Sequence, residues 1–371
     1  MGMIKIGITG QSGFIGWHLY NFLKLKEDVK LIEFDKNYFC NREKLDEFVL
    51  QSDVIVHLAA MNRAKNSRHL YDTNILLVQQ LIDACERTNS RPHILLSSSI
   101  QEDSDNAYGK SKKGGRILLE DWSKRSGGIV TSMLIPNVFG PFGRPNYNSV
   151  VATFCHKITR NEVPVIYKDA QMGLIYIGGL VAKISDFIRN RKSGKIIIKP
   201  FHKISVSALL KKLQNFKQIY MDNGEIPCLD EPFDLALFNT FRCYIPDKHF
   251  PFMFTKYADN RGSFVEVLRA NSKGQYSYST TVSGITRGNH FHTRKVERFV
   301  VISGKARILL RKIGTKEIIE YILDGDTPSF VDIPIWFTHN ITNIGKMELI
   351  TLFWINEPYD PLDADTYYED V

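Results

Sequence analysis

The chain has 371 residues, 43% of them hydrophobic and 24% charged. At about 150 residues per domain this length predicts two or three folded domains, and the composition excludes disordered, collagen-like and coiled-coil chains. The 48 Lys and Arg against 40 Asp and Glu leave a net charge of +8. With no basic block and no nucleic-acid motif, that excess excludes a nucleic-acid partner and fits a phosphate-bearing ligand.

No apolar run approaches the roughly 20 residues needed to cross a bilayer, so no membrane partner is expected. The N-terminus enters a strand-like segment without the order of a signal peptide, and the expectation is a cytoplasmic protein. Five scattered cysteines without a C-x-x-C pattern predict free thiols.

Residues 1–125 alternate short apolar runs (4–9, 29–34, 54–59, 94–97) with helix-length amphipathic segments. That rhythm predicts an α/β, doubly wound, Rossmann-type parallel sheet. Further α/β material continues to about Cys243. After Pro246 the chain shows short alternating strands (277–282, 298–302, 306–313, 317–323, 348–354) between Gly, Asn and Asp turns, which predicts an all-β barrel. The expected domains are therefore 1–245 and 246–371, with Tyr244–Pro251 as linker.

Behind the first strand comes Thr9-Gly10-Gln11-Ser12-Gly13-Phe14-Ile15-Gly16, opening a helix. Glycines there permit a tight turn and close backbone approach, and the helix N-terminus suits a dinucleotide pyrophosphate. Asp35 ends the second strand where a ribose hydroxyl would be read, while Lys36 beside it suits a 2′-phosphate. NAD(H) and NADP(H) both stay open. Downstream, Ser97–Ser99 end a strand, and Tyr108 and Lys112 share one helical face at i and i+4. Positive charge nearby is expected to lower the phenol's pKa, fitting Tyr108 for proton transfer.

These residues, with His57-Leu58-Ala59-Ala60, Asn74 and Pro136-Asn137-Val138-Phe139-Gly140-Pro141, resemble the extended short-chain dehydrogenase/reductase family. The resemblance implies an oxidoreductase acting on nucleotide-activated sugars, with Ser99, Tyr108 and Lys112 as catalytic triad and Ser98 as alternative serine. It implies cofactor contacts at Gly10, Gly13, Phe14, Ile15, Gly16, Asp35, Lys36, Leu58, Ala59, Ala60, Asn74, Lys112 and Pro136, and substrate contacts at Asn137, Asn146 and Asn148. Arg116 stands where that family usually has Glu, Leu134 near a usual arginine, and Ile177-Gly178-Gly179 in place of its V-D-D triplet.

In the β half, His290 and His292 point the same way on a strand with Glu297 close behind them, and a second cluster, Pro334–Asn343, supplies His339. Imidazoles and a carboxylate make a divalent-metal ligand set, with zinc as first choice and iron, manganese or nickel open. Both clusters match the cupin family, whose second motif carries glycine where Trp336 stands. Asp259-Asn-Arg261-Gly262-Ser-Phe264 resembles a segment of the nucleotide-sugar 3,5-epimerases, themselves cupins, and makes Arg261 a substrate-contact candidate for a diphosphate.

A reductase fused to a metal-keeping cupin resembles the bifunctional enzymes of capsular-polysaccharide and O-antigen synthesis. That resemblance implies 3-epimerisation of UDP-2-acetamido-2,6-dideoxy-L-arabino-4-hexulose in the cupin. NADPH-dependent reduction of the C4 ketone would follow, giving UDP-2-acetamido-2,6-dideoxy-L-talose on the way to UDP-N-acetyl-L-fucosamine. It also implies a homodimer. The alternative is a 4-keto reductase whose cupin is purely structural.

Overall fold

The structure is a computed structural model describing residues 2–371. The chain divides into two compact units: residues 2–150 with 170–205, and residues 151–169 with 206–371.

The first unit opens with β1 (Ile4–Thr9), α1 (Phe14–Lys24), β2 (Val29–Ile32), α2 (Arg42–Gln51), β3 (Val54–His57), α3 (Ser67–Arg87), β4 (His93–Ser99), α4 (Ala107–Ser126) and β5 (Val130–Ile135). Next come β6 (Asn137–Phe139), α5 (Val150–Ile158), which lies almost wholly in the second unit, β7 (Gln171–Tyr176), α6 (Ile177–Asn190), β8 (Gly194–Ile197) and β9 (His202–Ser205). The parallel sheet runs β2-β1-β3-β4-β5-β8. Both faces are covered, so central strands such as Val54–His57 are buried throughout. Phe48, Leu81, Ile94 and Trp122 pack on one face. Ile6, Leu19, Val56 and Leu180 pack on the other. Successive connections reverse direction between β1 and β3, and such a switch point opens a crevice at the strands' C-terminal ends.

The second unit holds α7 (Val206–Phe216), a π-helical turn at Lys217–Asp222, α8 (Pro232–Arg242) and twelve strands: β10 (Phe252–Met253), β11 (Lys256–Asp259), β12 (Gly262–Val265), β13 (Gln275–Thr281), β14 (Thr286–Phe291), β15 (Glu297–Ser303), β16 (Lys305–Lys312), β17 (Ile318–Asp324), β18 (Ser329–Ile333), β19 (Phe337–Asn343), β20 (Leu349–Ile355) and β21 (Tyr367–Tyr368). Two antiparallel sheets, β10-β18-β15-β20-β13 and β17-β16-β19-β14-β21, form the expected cupin jelly roll, with β11 and β12 as a separate hairpin. Alternate residues of β16 (Ala306, Ile308, Leu310) meet Phe299, Val331 and Leu349 in its core.

The unit boundary falls at 205/206, not at the expected 245/246. Tyr244 and Ile245, placed by the sequence in a linker, are only 7% and 9% exposed. The reason is buried charge. Arg298, fully buried, binds Asp332 through two hydrogen bonds of 2.8 and 2.9 Å. Tyr220 donates to the same carboxylate, and Arg242 donates to the Tyr220 hydroxyl at 3.0 Å and to the Ile333 carbonyl at 3.0 Å. These groups tie the helices of residues 206–242 to the barrel, because none could be left unpaired out of water.

Candidate active sites

The first site is built at the switch point. Gly10 takes φ +73°, and a Cβ there would lie 2.8 Å from the Ala59 amide nitrogen. A Cβ on Gly16 would lie 2.2 Å from the Gly10 carbonyl oxygen, so only glycine lets α1 start this close to the turn. Leu58 N donates to Thr9 O at 3.2 Å and Ala59 N to Thr9 Oγ1 at 3.3 Å, bringing the Gly-rich turn and the Leu58–Ala60 segment together. Gln11 Nε2 donates to Phe34 O at 2.8 Å, drawing the end of β2 to the same turn. The N-cap of α1 is Gly13, so no side chain caps the amides of Phe14, Ile15 and Gly16. Uncapped first-turn amides behind a tight glycine turn fit a dinucleotide pyrophosphate.

Asp35 and Lys36 are both exposed at the end of β2, and the Asp35 carboxylate accepts from Asn37 N at 2.8 Å. Asn74 is buried and engaged within the protein. Its amide bonds both backbone groups of Met61, at 2.6 and 3.0 Å, and donates to Ser111 Oγ at 2.9 Å. It therefore holds the loop after β3. Pro136 is buried between β5 and β6, while Asn137, Asn146 and Asn148 are exposed along the following segment.

Asn106 caps α4, accepting from Gly109 N at 2.8 Å, and so sets the helical phase of Tyr108 and Lys112. Lys112 is buried, donates to Ser97 O at 2.9 Å, and has its ammonium 5.7 Å from the Tyr108 ring centroid. The electrostatics differ from the sequence expectation. Burial and the neighbouring Tyr147 push the Tyr108 phenol up to about 12, and burial pushes Lys112 down to about 8. Desolvation dominates, so the phenol is held protonated. Ser99 Oγ accepts from Gln101 N at 3.1 Å, whereas Ser98 Oγ donates to the buried Glu102 carboxylate. Glu102 is also gripped by Arg116 at 2.9 and 3.0 Å. Arg116 thus makes an ion-pair network with Glu102 and Glu120 in this position.

The second site lies inside the jelly roll. His290 on β14 pairs across the ladder with His339 on β19, while Glu297 opens β15 in the opposite sheet. One donor atom from each of His290, His292, Glu297 and His339 falls within 4.8 Å of every other. Glu297 Oε2 lies 3.2 Å from His292 Nε2 and 3.1 Å from His339 Nε2, yet none of these buried atoms has a hydrogen-bond partner of acceptable geometry. Three orphaned donor atoms converging in this way fit one divalent ion. Burial opposes ionisation of Glu297, but the imidazoles of His292 and His339 hold its carboxyl well below the usual range. Burial, then His339, push His290 down to about 4, leaving it neutral. Among the described residues, these four are the only cluster of His, Cys, Asp or Glu placed so that it could hold a metal ion.

A further residue orders this set. Asp365 O accepts from His292 Nδ1 at 2.5 Å, which turns the Nε2 lone pair toward the other ligands. Its carboxylate accepts from the backbone amides of Thr293, Arg294 and Lys295 and from Thr293 Oγ1. No local spacing announces this role, because Asp365 lies far along the chain from the amides it binds. Trp336 keeps the turn in which a glycine was expected by adopting φ +63°. Its amide donates to His292 O at 2.7 Å and its ring stacks on Phe291. Arg261 stands apart from these four residues: it is exposed on the β11–β12 hairpin and pairs with Asp259 at 2.6 Å.

A dinucleotide-type crevice with a half-buried Tyr and a buried Lys at its edge, followed by a cupin, defines an enzyme class. The chain belongs to the NAD dependent epimerase/dehydratase family, whose model matches residues 6–198, and residues 257–367 match the polysaccharide biosynthesis C-terminal domain. Over 368 residues, 98% of each chain, it is 32% identical to the UDP-2-acetamido-2,6-beta-L-arabino-hexul-4-ose reductase of Pseudomonas aeruginosa. It is similar to the crystal structure of the capsular polysaccharide assembling protein CapF from Staphylococcus aureus, with a TM-score of 0.64, 36% identity, and 99% of this chain and 100% of that chain covered. The chain is thus an oxidoreductase of the nucleotide-sugar reductase and epimerase group of capsular polysaccharide synthesis. An NADPH complex of RMD from Pseudomonas aeruginosa matches 66% of this chain and 99% of its own at 16% identity and a TM-score of 0.58, a likeness of fold. No helix among the described residues is long and apolar enough to cross a membrane.

Proposed function

We propose that the enzyme is bifunctional. The cupin inverts C3 of UDP-2-acetamido-2,6-dideoxy-L-arabino-4-hexulose, and the first unit then reduces the C4 ketone to UDP-2-acetamido-2,6-dideoxy-L-talose, a precursor of UDP-N-acetyl-L-fucosamine. What supports this reading above all is the four-ligand set retained beside a complete Tyr108–Lys112 reductase pair in one chain.

The C3 proton lies α to the C4 ketone and is acidic. Its removal leaves an enolate, and reprotonation from the opposite face inverts the centre. His290, His292, Glu297 and His339 would hold the ion, with zinc as first choice. A divalent ion there supplies positive charge for an enolate oxygen. Asp365 fixes the direction of the His292 ring.

In the reductase the residues of the Gly-rich turn and the first-turn amides of α1 bind the dinucleotide, proposed as NADPH. A nicotinamide dinucleotide held there would supply the hydride for C4. Tyr108, kept protonated by burial, gives its proton to the new alkoxide at O4. Ser99 holds that oxygen, since Ser98 is committed to Glu102. Lys112 orients the pair from below through Ser97 O. The enzyme is proposed to work in the cytoplasm as a homodimer.

The test is one reaction in D2O with NADPH and UDP-4-keto-6-deoxy-HexNAc made in situ, read by proton NMR. Deuterium at C3 together with a new C4 carbinol proton is the expected outcome. A C4 proton with C3 unexchanged would make the cupin structural, and exchange without reduction would overturn the reductase assignment.

A further inference from the structure

We propose that Arg63 and Arg144, converging on the ring of Tyr147, form the clamp for the diphosphate of the nucleotide sugar. The inference deepens the proposed function and rests on its nucleotide-sugar reading.

Both guanidiniums reach one aromatic ring: Arg144 lies 5.2 Å and Arg63 5.9 Å from the Tyr147 centroid. Arg63 sits in the loop after β3 and Arg144 in the segment after β6, so two connections far apart in the chain each bring a guanidinium to the same ring. Each is exposed, and neither makes an ion pair among the described residues. Two cations held at one ring without an ion-pair partner are available to an anion, and a guanidinium presents paired donors that match phosphate oxygens.

The segment carrying Arg144 is held firmly. Phe142 and Asn146, on either side of it, both take left-handed backbone, at φ +64° and +54°. Strained positions of this kind persist where the surroundings impose them. His18 Nε2 shares a hydrogen bond of 2.9 Å with Pro141 O, and the Phe142 ring packs edge-on against Trp17, both on α1. The loop bearing Arg63 is fixed from beneath by Asn74, which bonds both backbone groups of Met61.

Location selects which diphosphate. The dinucleotide's pyrophosphate has its place at the Gly10–Gly16 turn. Arg63 instead belongs to the loop that Asn74 ties to Ser111, whose hydroxyl donates to Tyr108 O at 2.8 Å. An anion beside the phenol that protonates O4 is the one carried by the sugar undergoing reduction. Tyr147 acts as the post that positions both guanidiniums, and its ring rather than its hydroxyl serves this purpose.

The experiment measures UDP binding to the full-length protein by calorimetry, with NADPH binding measured in parallel. Arg63→Ala and Arg144→Ala are each expected to weaken UDP by about tenfold or more, the cost of a lost charge-assisted contact, and to leave NADPH unchanged. Tyr147→Phe keeps UDP affinity and Tyr147→Ala weakens it. Thermal unfolding of each variant confirms an intact fold, as expected for exposed side chains. Unchanged UDP affinity in both arginine variants, with the parent binding UDP, overturns the clamp and leaves the nucleotide-sugar reading standing. Loss of NADPH affinity alongside UDP assigns the cations to the dinucleotide instead. A parent protein that binds no UDP removes both readings.

Discussion

Replacing Asp365 by alanine isolates what holds the metal ligands in place, because Asp365 is not itself a ligand. The substitution removes the acceptor for three backbone amides and one hydroxyl at Thr293–Lys295, the segment directly following His292. Hydrogen bonds to a charged group contribute about 1.5–3 kcal/mol each, and since these four share one buried carboxylate the combined cost is about 3–5 kcal/mol. Alanine also tolerates φ +43° poorly, adding about 1 kcal/mol. The loosened Asp365 carbonyl no longer fixes His292 Nδ1, and loss of such an outer partner lowers metal affinity about 10- to 100-fold. Asp365→Asn keeps an acceptor oxygen and suits left-handed backbone, so it should lie between parent and alanine variant. Zinc affinity by competition with a chromophoric chelator, and thermal unfolding with and without added zinc, measure both effects. An alanine variant that folds normally and binds zinc within about twofold of the parent, against the expected drop of about 10- to 100-fold, would refute the reasoning.

Tyr108→Phe removes the proton donor and should lower reduction by about 10²- to 10⁴-fold while C3 exchange in D2O continues; equal loss of both activities would argue against separate sites. His339→Ala deletes one of four ligands, so metal retention by elemental analysis should fall and the second unit should melt at lower temperature, because ligand binding is also folding free energy. Gly16→Val drives side-chain atoms into the Gly10 carbonyl and the Gln11 backbone, so NADPH binding by fluorescence titration should be lost. Burial sets Lys112 near 8, far below a free lysine, so its ammonium is present below that pH and lost as pH rises through it. The kcat/KM for reduction should therefore fall above about pH 8, with Tyr108 protonated throughout. A profile flat to about pH 10 would contradict the role given to Lys112.

Much of both sites was legible because their residues lie close together along the chain. The i, i+4 spacing of Tyr108 and Lys112 and the i, i+2 spacing of His290 and His292 encode a shared side-chain direction, which helix and strand geometry then realise. Adjacent glycines likewise announce a turn before α1. Sequence reading alone therefore determined the fold class of each half and singled out the candidate metal ligands and the Tyr108–Lys112 pair that folding brings together. Tertiary structure alone decided what depends on distant neighbours. Tyr108 is raised rather than lowered because burial, and then Tyr147 from another loop, set its pKa. Ser98 is engaged by a glutamate that only Arg116 makes tolerable in the interior. The chain divides at 205/206 because Arg242 and Tyr220 find Asp332 and Ile333 on β18, a match invisible to local periodicity. Asp365 likewise reaches His292 only when the chain folds back on itself, since desolvation and pairing depend on which surfaces meet, and periodicity records only which way each side chain points.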